Sequence, residues 1–322
     1  MILLSLLVFV GFAALIFGAN WMVDGSSALA KKYGVSDLVI GLTIVALGTS
    51  APELVVNTVA ASNGLSDIVL GNIIGSNNFN LFIILGIAGL IYPITVQSST
   101  AWKEIPISIL VAIVALLLAN NFFLSSENLG YSRFDGFILI LLFFAFLYYV
   151  FQQMKTEKNA TQESETSSQS MSNIKIWGLI IIGLAALIIG GKLVVDNSVK
   201  IASNLGVSEK IIGLTIVAAG TSLPELLTSI IAAFKRNSDI AIGNVIGSNI
   251  FNILFILSAS AFVSPIDFNL NFNTDLYILI GGTLLLFISM LTGGRKKLDR
   301  WEAGILLISY LSYTSYLVML EL

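Results

Sequence analysis

Residues 35–94 recur, without a gap, as residues 207–266: a shift of 172 brings 32 of 60 positions into identity. The matches include Gly41–Ala46 with Gly213–Ala218, Ser66-Asp67-Ile68 with Ser238-Asp239-Ile240, and Pro93-Ile94 with Pro265-Ile266. The likeness extends back to Gly11–Ile16 against Gly183–Ile188. A solenoid would need several repeats of about 20–50 residues. This is one large duplication, so whatever the first copy builds, the second must build again.

Each copy is built for a membrane. The chain is 56% hydrophobic and only 11% charged, where a soluble domain carries about 25% charged residues. A span needs about 20 apolar residues. That rule gives ten spans, at 2–23, 37–61, 67–92, 104–120, 132–152, 174–195, 209–233, 239–264, 272–292 and 300–319. The fourth is the shortest. The stretch Met1–Val23 lacks a positive flank and exceeds the roughly 7–15 residues of a signal-peptide core, so it reads as a retained first span. Lys155–Ser172 is rich in Ser, Thr, Glu and Gln with no apolar period. It cannot bury enough surface to offset its ordering entropy, so a flexible linker is expected. The expected organisation is a first five-helix repeat (1–152), a cytoplasmic linker (153–173) and a second five-helix repeat (174–322).

Lysine and arginine set the orientation. With the N-terminus outside, twelve fall in cytoplasmic connections: Lys31, Lys32, Lys103, Lys155, Lys158, Lys175, Lys235, Arg236, Arg295, Lys296, Lys297 and Arg300. Three, Arg133, Lys200 and Lys210, fall outside. The reading is a multi-pass cell-membrane protein with both termini extracytoplasmic. Five spans per copy is an odd number, so the second copy enters from the opposite side. The expected fold is all-α: ten transmembrane helices as two inverted five-helix repeats, an architecture of secondary transporters.

The repeat is strongest in two stretches. One is GTSAPE, Gly48–Glu53, with GTSLPE, Gly220–Glu225; the other is GNIIGSNNFN, Gly71–Asn80, with GNVIGSNIFN, Gly243–Asn252. Pro52 offers no N–H to the carbonyl of Gly48, and its ring opens that turn; Pro224 does the same to Gly220. Broken backbone at membrane depth is tolerated where it lines a cavity or packs within protein. Ionisable side chains there mark function by default. Of the 19 acidic residues only Glu53 and Glu225 fall deep within spans, and no Lys or Arg lies at matching depth. Beside them stand Thr49, Ser50, Thr221 and Ser222, and on one face of the next span Ser76 and Asn80, mirrored by Ser248 and Asn252.

The donor set is two carboxylates, two amides, six hydroxyls and loosened carbonyls. Hard cations take such sets, and Ca²⁺ accepts 6–8 oxygens. With no histidine and no cysteine in the chain, imidazole and thiolate sites for softer metals are excluded. No basic cluster suggests nucleic acid. Other features read as structure. The G-x-x-x-G pairs Gly71/Gly75 and Gly243/Gly247 suit close helix packing. Asn77 and Asn249 cap or bridge helices. Asp67 and Asp239 look like helix N-caps. Asp24 and Asp196 are solvated at the interfaces.

GTSxPE followed by GNxxGSNxxN, twice in inverted halves, resembles the alpha repeats of the sodium/calcium exchanger family within the cation/Ca²⁺ antiporter superfamily, in its prokaryotic type. The resemblance implies a calcium site with flanking sodium sites between the second, third, seventh and eighth spans. It implies ligands at Thr49, Ser50, Glu53, Ser76, Asn80, Thr221, Ser222, Glu225, Ser248 and Asn252, with backbone carbonyls of Ala46 and Ala218 serving sodium. Some archaeal-type members carry an aspartate at the position of Asn252; here the carboxylate count is two. The expected activity is Na⁺/Ca²⁺ antiport by alternating access, with H⁺-coupled or K⁺-dependent cation antiport as the alternative. Neither an enzyme nor a cofactor is expected. Ca²⁺ and Na⁺ are the transported partners, the bilayer is the surroundings, and a monomer suffices.

Overall fold

The computed structural model describes residues 2–122, 129–161, 171–205, 218–292 and 296–321. In chain order the helices are α1 Ile2–Tyr33, α2 Asp37–Thr49, α3 Ala51–Ser62, α4 Ser66–Ile91, α5 Thr100–Ala119 and α6 Arg133–Thr161. There follow α7 Asn173–Asn204, α8 Ala218–Gly220, α9 Leu223–Phe234, α10 Ser238–Val263, α11 Phe272–Ser289 and α12 Arg300–Glu321. Seven are long and apolar enough to cross a membrane, and eight spans result if α2 and α3, bent by 46° at their junction, count as one. The predicted residues 209–217 lie outside the described set; the rest of that stretch is α8 and α9.

Local chemistry sets the helix starts. Ser36 accepts from the Val39 N–H at the head of α2, and Ser172 accepts from the Lys175 N–H at the head of α7. Before α6, Ser132 and Asp135 exchange bonds reciprocally, the Ser132 N–H to Asp135 Oδ2 at 2.8 Å and the Asp135 N–H to Ser132 Oγ at 3.3 Å, a capping box. The expected aspartate caps do not form. Leu65 occupies the N-cap of α4 without a side-chain bond, and Asn237, not Asp239, caps α10 through the Ile240 N–H. Asp67 and Asp239 sit in the first turn, second in their helices, where a carboxylate meets the positive helix end. Several helices outrun their sequence limits: α1 and α7 reach 32 residues each, and α6 continues through Thr161, into the stretch expected to be linker. A π-helical turn at Thr100–Glu104 lengthens the short fourth span at its start.

The molecule is centred on α4 and α10, the two helices that carry GNxxGSNxxN; nearly all of α10 is buried, while α1 buries about a fifth of its apolar window. α1 packs lengthwise and antiparallel on α7, with glycines letting the backbones touch. A Cβ on Gly18 would lie 2.7 Å from Gly183 O, and one on Gly183 would lie 2.8 Å from Gly18 O; Gly11 and Gly190 repeat the exchange at 2.9 and 2.8 Å. The second G-x-x-x-G works the same way: a Cβ on Gly243 would lie 2.9 Å from Leu38 O, so α2 lies directly on α10. The first does not. The nearest described atom to a Cβ on Gly71 is in the Phe272 ring at 3.8 Å, and Gly71 is exposed.

Short strands tie the connections. β1 Ile94–Thr95 pairs with β4 Lys297–Leu298, and β2 Gly130–Tyr131 pairs with β3 Ile266–Asp267, both antiparallel. Lys235 bonds Asp24 at 2.7 Å, Asn237 donates to Ser27 and Asp37, and Gln97 donates to Asp239 at 2.6 Å. Lys32 reaches Met171 O. Elsewhere Ser66 Oγ accepts from the Asp267 N–H, and Asn120 and Asn273 exchange amide bonds.

Candidate cation site

The site is built where the two halves break their helices. Ser50, at φ −82° and ψ 7°, leaves the helical region between α2 and α3, and Ser222 does the same at φ −88° and ψ 7° between α8 and α9. A proline follows each break inside the first turn of the next helix. Glu53 and Glu225 then fall in the first turns of α3 and α9, both buried to 1% exposure.

Each glutamate is held by the other half. Ser50 Oγ donates to Glu225 Oε1 at 3.0 Å, and Ser222 Oγ donates to Glu53 Oε1 at 3.3 Å. The two bonds join residues related by the shift of 172. Thr49 Oγ1 lies 3.0 Å from both Val45 O and Asn244 Oδ1, and can donate to either. Its counterpart Thr221 faces Asn72 Oδ1 at 3.4 Å. Ala46 O accepts from the Ser50 N–H at 3.0 Å. Ala218 opens α8, and its side chain lies outside the described residues.

The second stretch arrives through π-helical turns. Residues Phe79–Ile84 of α4 and Asn252–Ile256 of α10 switch to the wider i→i+5 ladder, a device common at functional sites. These turns carry Asn80 and Asn252. The turn bearing Asn80 packs on α9, which carries Glu225; the turn bearing Asn252 packs on α3, which carries Glu53. Ser76 Oγ donates to Asn72 Oδ1 at 3.1 Å, while Ser248 Oγ is buried with no partner.

The decisive observation is a set of oxygens with nothing to bind. Glu53 Oε2, Glu225 Oε2, Asn80 Oδ1 and Asn252 Oδ1 are buried acceptors without a hydrogen-bond partner, as are Asn57 Oδ1 and Asn78 Oδ1; the first four form two pairs related by the shift of 172. Buried polar groups are nearly always paired, and each exception calls for a reason such as an ion. Two such groups are carboxylates, whose burial unpaired is costly. No cluster of three or more acidic, histidine or cysteine side chains occurs among the described residues, so a cation here would combine two carboxylates with neutral oxygens.

A family model described as sodium/calcium exchanger protein matches residues 3–152 and 175–319. The chain belongs to the sodium/calcium exchanger family. The sodium/calcium exchanger MaX1 of Methanosarcina acetivorans is 35% identical over 341 residues, covering 96% of each chain. The inner membrane protein YrbG of Escherichia coli K12 is 35% identical, covering 82% of this chain and 81% of its own. A structure of the sodium-calcium exchanger NCX_Mj, soaked with 2.5 mM Na⁺ and 10 mM Sr²⁺, superposes with TM-score 0.84 at 32% identity over 98% of each chain. The chain is thus a membrane protein of a family of ion transporters.

In this exchanger-family chain the structure cross-bonds Ser50 with Glu225 and Ser222 with Glu53, joins Thr49 to Glu225 through Asn244, and sets Thr221 against Asn72, with Asn80 and Asn252 on the adjoining turns. Residues not singled out from the sequence complete it. Asn244 Nδ2 donates to Glu225 O and to Ser229 Oγ, and Asn57 Nδ2 donates to Glu53 O at 2.7 Å. Asn72 and Asn244 belong to the repeated Gly-Asn dipeptides, a signal that could have found them; Asn57 and Ser229 differ between the copies and left none. Burial is also not confined to the site carboxylates: Glu104, Asp135 and Glu302 are buried too. Tyr149 donates to Glu104, while Asp135 and Glu302 bond the N-termini of their helices. The two sides of the site differ in access. Thr49 and Asn244 are fully buried where α2 lies on α10, whereas Thr221 and Asn72 are partly exposed.

Proposed function

We propose that this chain exchanges Na⁺ for Ca²⁺ across the cell membrane, through ten spans arranged as two inverted five-helix repeats joined by a linker near 153–173. The arrangement is supported by which connections touch. With the N-terminus outside, the predicted cytoplasmic connections meet one another, as in Lys32 with Met171, Asp24 with Lys235, Gln97 with Asp239 and β1 with β4. The predicted outer ones meet likewise, as in Ser66 with Asp267, Asn120 with Asn273 and β2 with β3.

The four unpartnered oxygens of Glu53, Glu225, Asn80 and Asn252 carry the functional reading. Ca²⁺ sits between the two carboxylates, with the amide oxygens of Asn80 and Asn252 and a subset of the hydroxyls of Thr49, Ser50, Ser76, Thr221, Ser222 and Ser248 completing a shell of about 6–8 oxygens. Sodium ions use the same carboxylates together with the carbonyls of Ala46 and Ala218. Two glutamates neutralise one Ca²⁺ or about two monovalent ions. Two like charges in a low-dielectric interior repel strongly, so the empty site resists burial and only the loaded protein rearranges. Ions that compete for one site and cannot leave it empty exchange rather than leak.

The test is ⁴⁵Ca²⁺ uptake into liposomes holding the purified chain, driven by an outward Na⁺ gradient. Glu53→Gln and Glu225→Gln are each expected to reduce uptake about 100-fold or more; parental rates in both variants would remove the assignment. Imposing H⁺ and K⁺ gradients in the same vesicles separates Na⁺ coupling from its two alternatives.

A further inference from the structure

Asn77 and Asn249 face each other where α4 and α10 cross, and both are buried. Asn77 Nδ2 donates to Asn249 O at 3.2 Å, and Asn249 Nδ2 donates to Asn77 O at 3.2 Å. Their side-chain oxygens then each accept one more bond. Asn252 Nδ2 donates to Asn77 Oδ1 at 2.9 Å, and Asn80 Nδ2 donates to Asn249 Oδ1 at 3.2 Å.

The order of these four bonds has a logical consequence. A backbone carbonyl can only accept, so the end of Asn77 that faces Asn249 O must be the NH₂. Its oxygen is thereby turned toward Asn252, and an oxygen can be met there only by NH₂. Asn252 must therefore hold its own oxygen away from the pair. The same chain runs from Asn249 to Asn80. The two oxygens left over are the buried, unpartnered Oδ1 atoms of Asn80 and Asn252.

We infer that Asn77 and Asn249 are positioning residues that touch no ion and lock the amides of Asn80 and Asn252 with oxygen, not NH₂, presented to the cation. The inference rests on the cation site proposed above. Without the lock an amide beside carboxylates would turn its NH₂ toward them, since a hydrogen bond to a charged acceptor is among the stronger ones. A cation would then meet donors where it needs acceptors, and its apparent affinity would fall in proportion to the fraction of protein with the oxygen inward. The lock uses backbone carbonyls as its fixed points, so changing one asparagine frees one amide: Asn77→Ala releases Asn252 and leaves the Asn249–Asn80 chain intact.

The experiment compares one substitution on two backgrounds. Ca²⁺ affinity is measured on the detergent-solubilised full chain, and half-saturating Ca²⁺ in the liposome assay. Asn77→Ala is expected to weaken the affinity, and to raise half-saturating Ca²⁺, about tenfold or more. On an Asn252→Asp background the same change is expected to leave the affinity unchanged or tighter, because a carboxylate presents oxygen in either orientation and the substitution removes an Oδ1 that faces it. A pair that only held the helices together would lose the same factor on both backgrounds, and that result overturns the inference. If Asn77→Ala does not fold, Asn249→Ala with and without Asn80→Asp poses the same question on the other half. Parental affinity in both asparagine variants, with binding lost in Glu53→Gln, removes this inference alone. A Glu53→Gln protein that binds as tightly as the parent removes the site and the inference together.

Discussion

The serine of one half holds the glutamate of the other, and the two bonds are not equal. Ser50 reaches Glu225 at 3.0 Å and Ser222 reaches Glu53 at 3.3 Å. A hydroxyl bond to a carboxylate contributes about 1.5–3 kcal/mol, with the shorter bond toward the upper end. Ser50→Ala is therefore expected to raise half-saturating Ca²⁺ about 100-fold, and Ser222→Ala about tenfold; equal effects in the flux assay would contradict the geometry. The candidate ligands were legible because each is a polar residue in an apolar span and each occurs twice. The bonds between them were not. Asn77 was expected to bridge helices, and it does, but which end of its amide faces which neighbour follows only from the crossing of α4 and α10. Glu104 was invisible as a buried acid, because its partner Tyr149 lies on another helix at a separation no local pattern encodes.

Pattern serves better for breaks than for ladders. Pro52 and Pro224 announced the interruptions, and the chain bends at Ser50 and Ser222 as their position requires. The π-helical turns at Phe79–Ile84 and Asn252–Ile256 left no sign, since a change from i→i+4 to i→i+5 bonding needs no special residue type. The paired G-x-x-x-G motifs look alike in sequence but pack differently, and this can be measured. Gly243→Ala would drive a Cβ into Leu38 O, with no flexible side chain to give way. It is expected to destabilise by about 1–3 kcal/mol, read as a lower melting temperature in detergent, while Gly71→Ala shifts melting little. The turns between paired helices offer a second comparison. Gly64, at φ +71°, has no described atom near enough to oppose a Cβ, yet alanine there would still be strained in the left-handed region. Gly64→Ala is expected to cost about 1–2 kcal/mol from backbone conformation alone. Arg236, its counterpart 172 residues on, already bears that strain at φ +56°.

The whole molecule offers an unusually direct check of its topology, because the chain contains no cysteine. Single cysteines at Lys31 and Ser98 are expected to react with a membrane-impermeant maleimide only from the cytoplasmic side, and one at Asn271 only from outside. Labelling of all three from one side would undo the inverted arrangement. The duplication made the all-helical membrane fold and its paired motifs legible at this scale, since a gapless repeat survives any uncertainty about individual span ends. The helix limits were less so: α1, α6 and α7 run on past their apolar stretches because helix continuation beyond the bilayer is decided by packing and capping rather than hydropathy. The crossed serine–glutamate bonds also bear on the duplication. Residue 50 of one half meets residue 53 of the other, and the reverse, which is the signature of an isologous contact between identical subunits. Neither half makes these bonds alone. A protein half this length could bring such a serine to such a glutamate only by meeting a second copy of itself, so the duplicated chain carries both partners of a two-fold contact in one polypeptide.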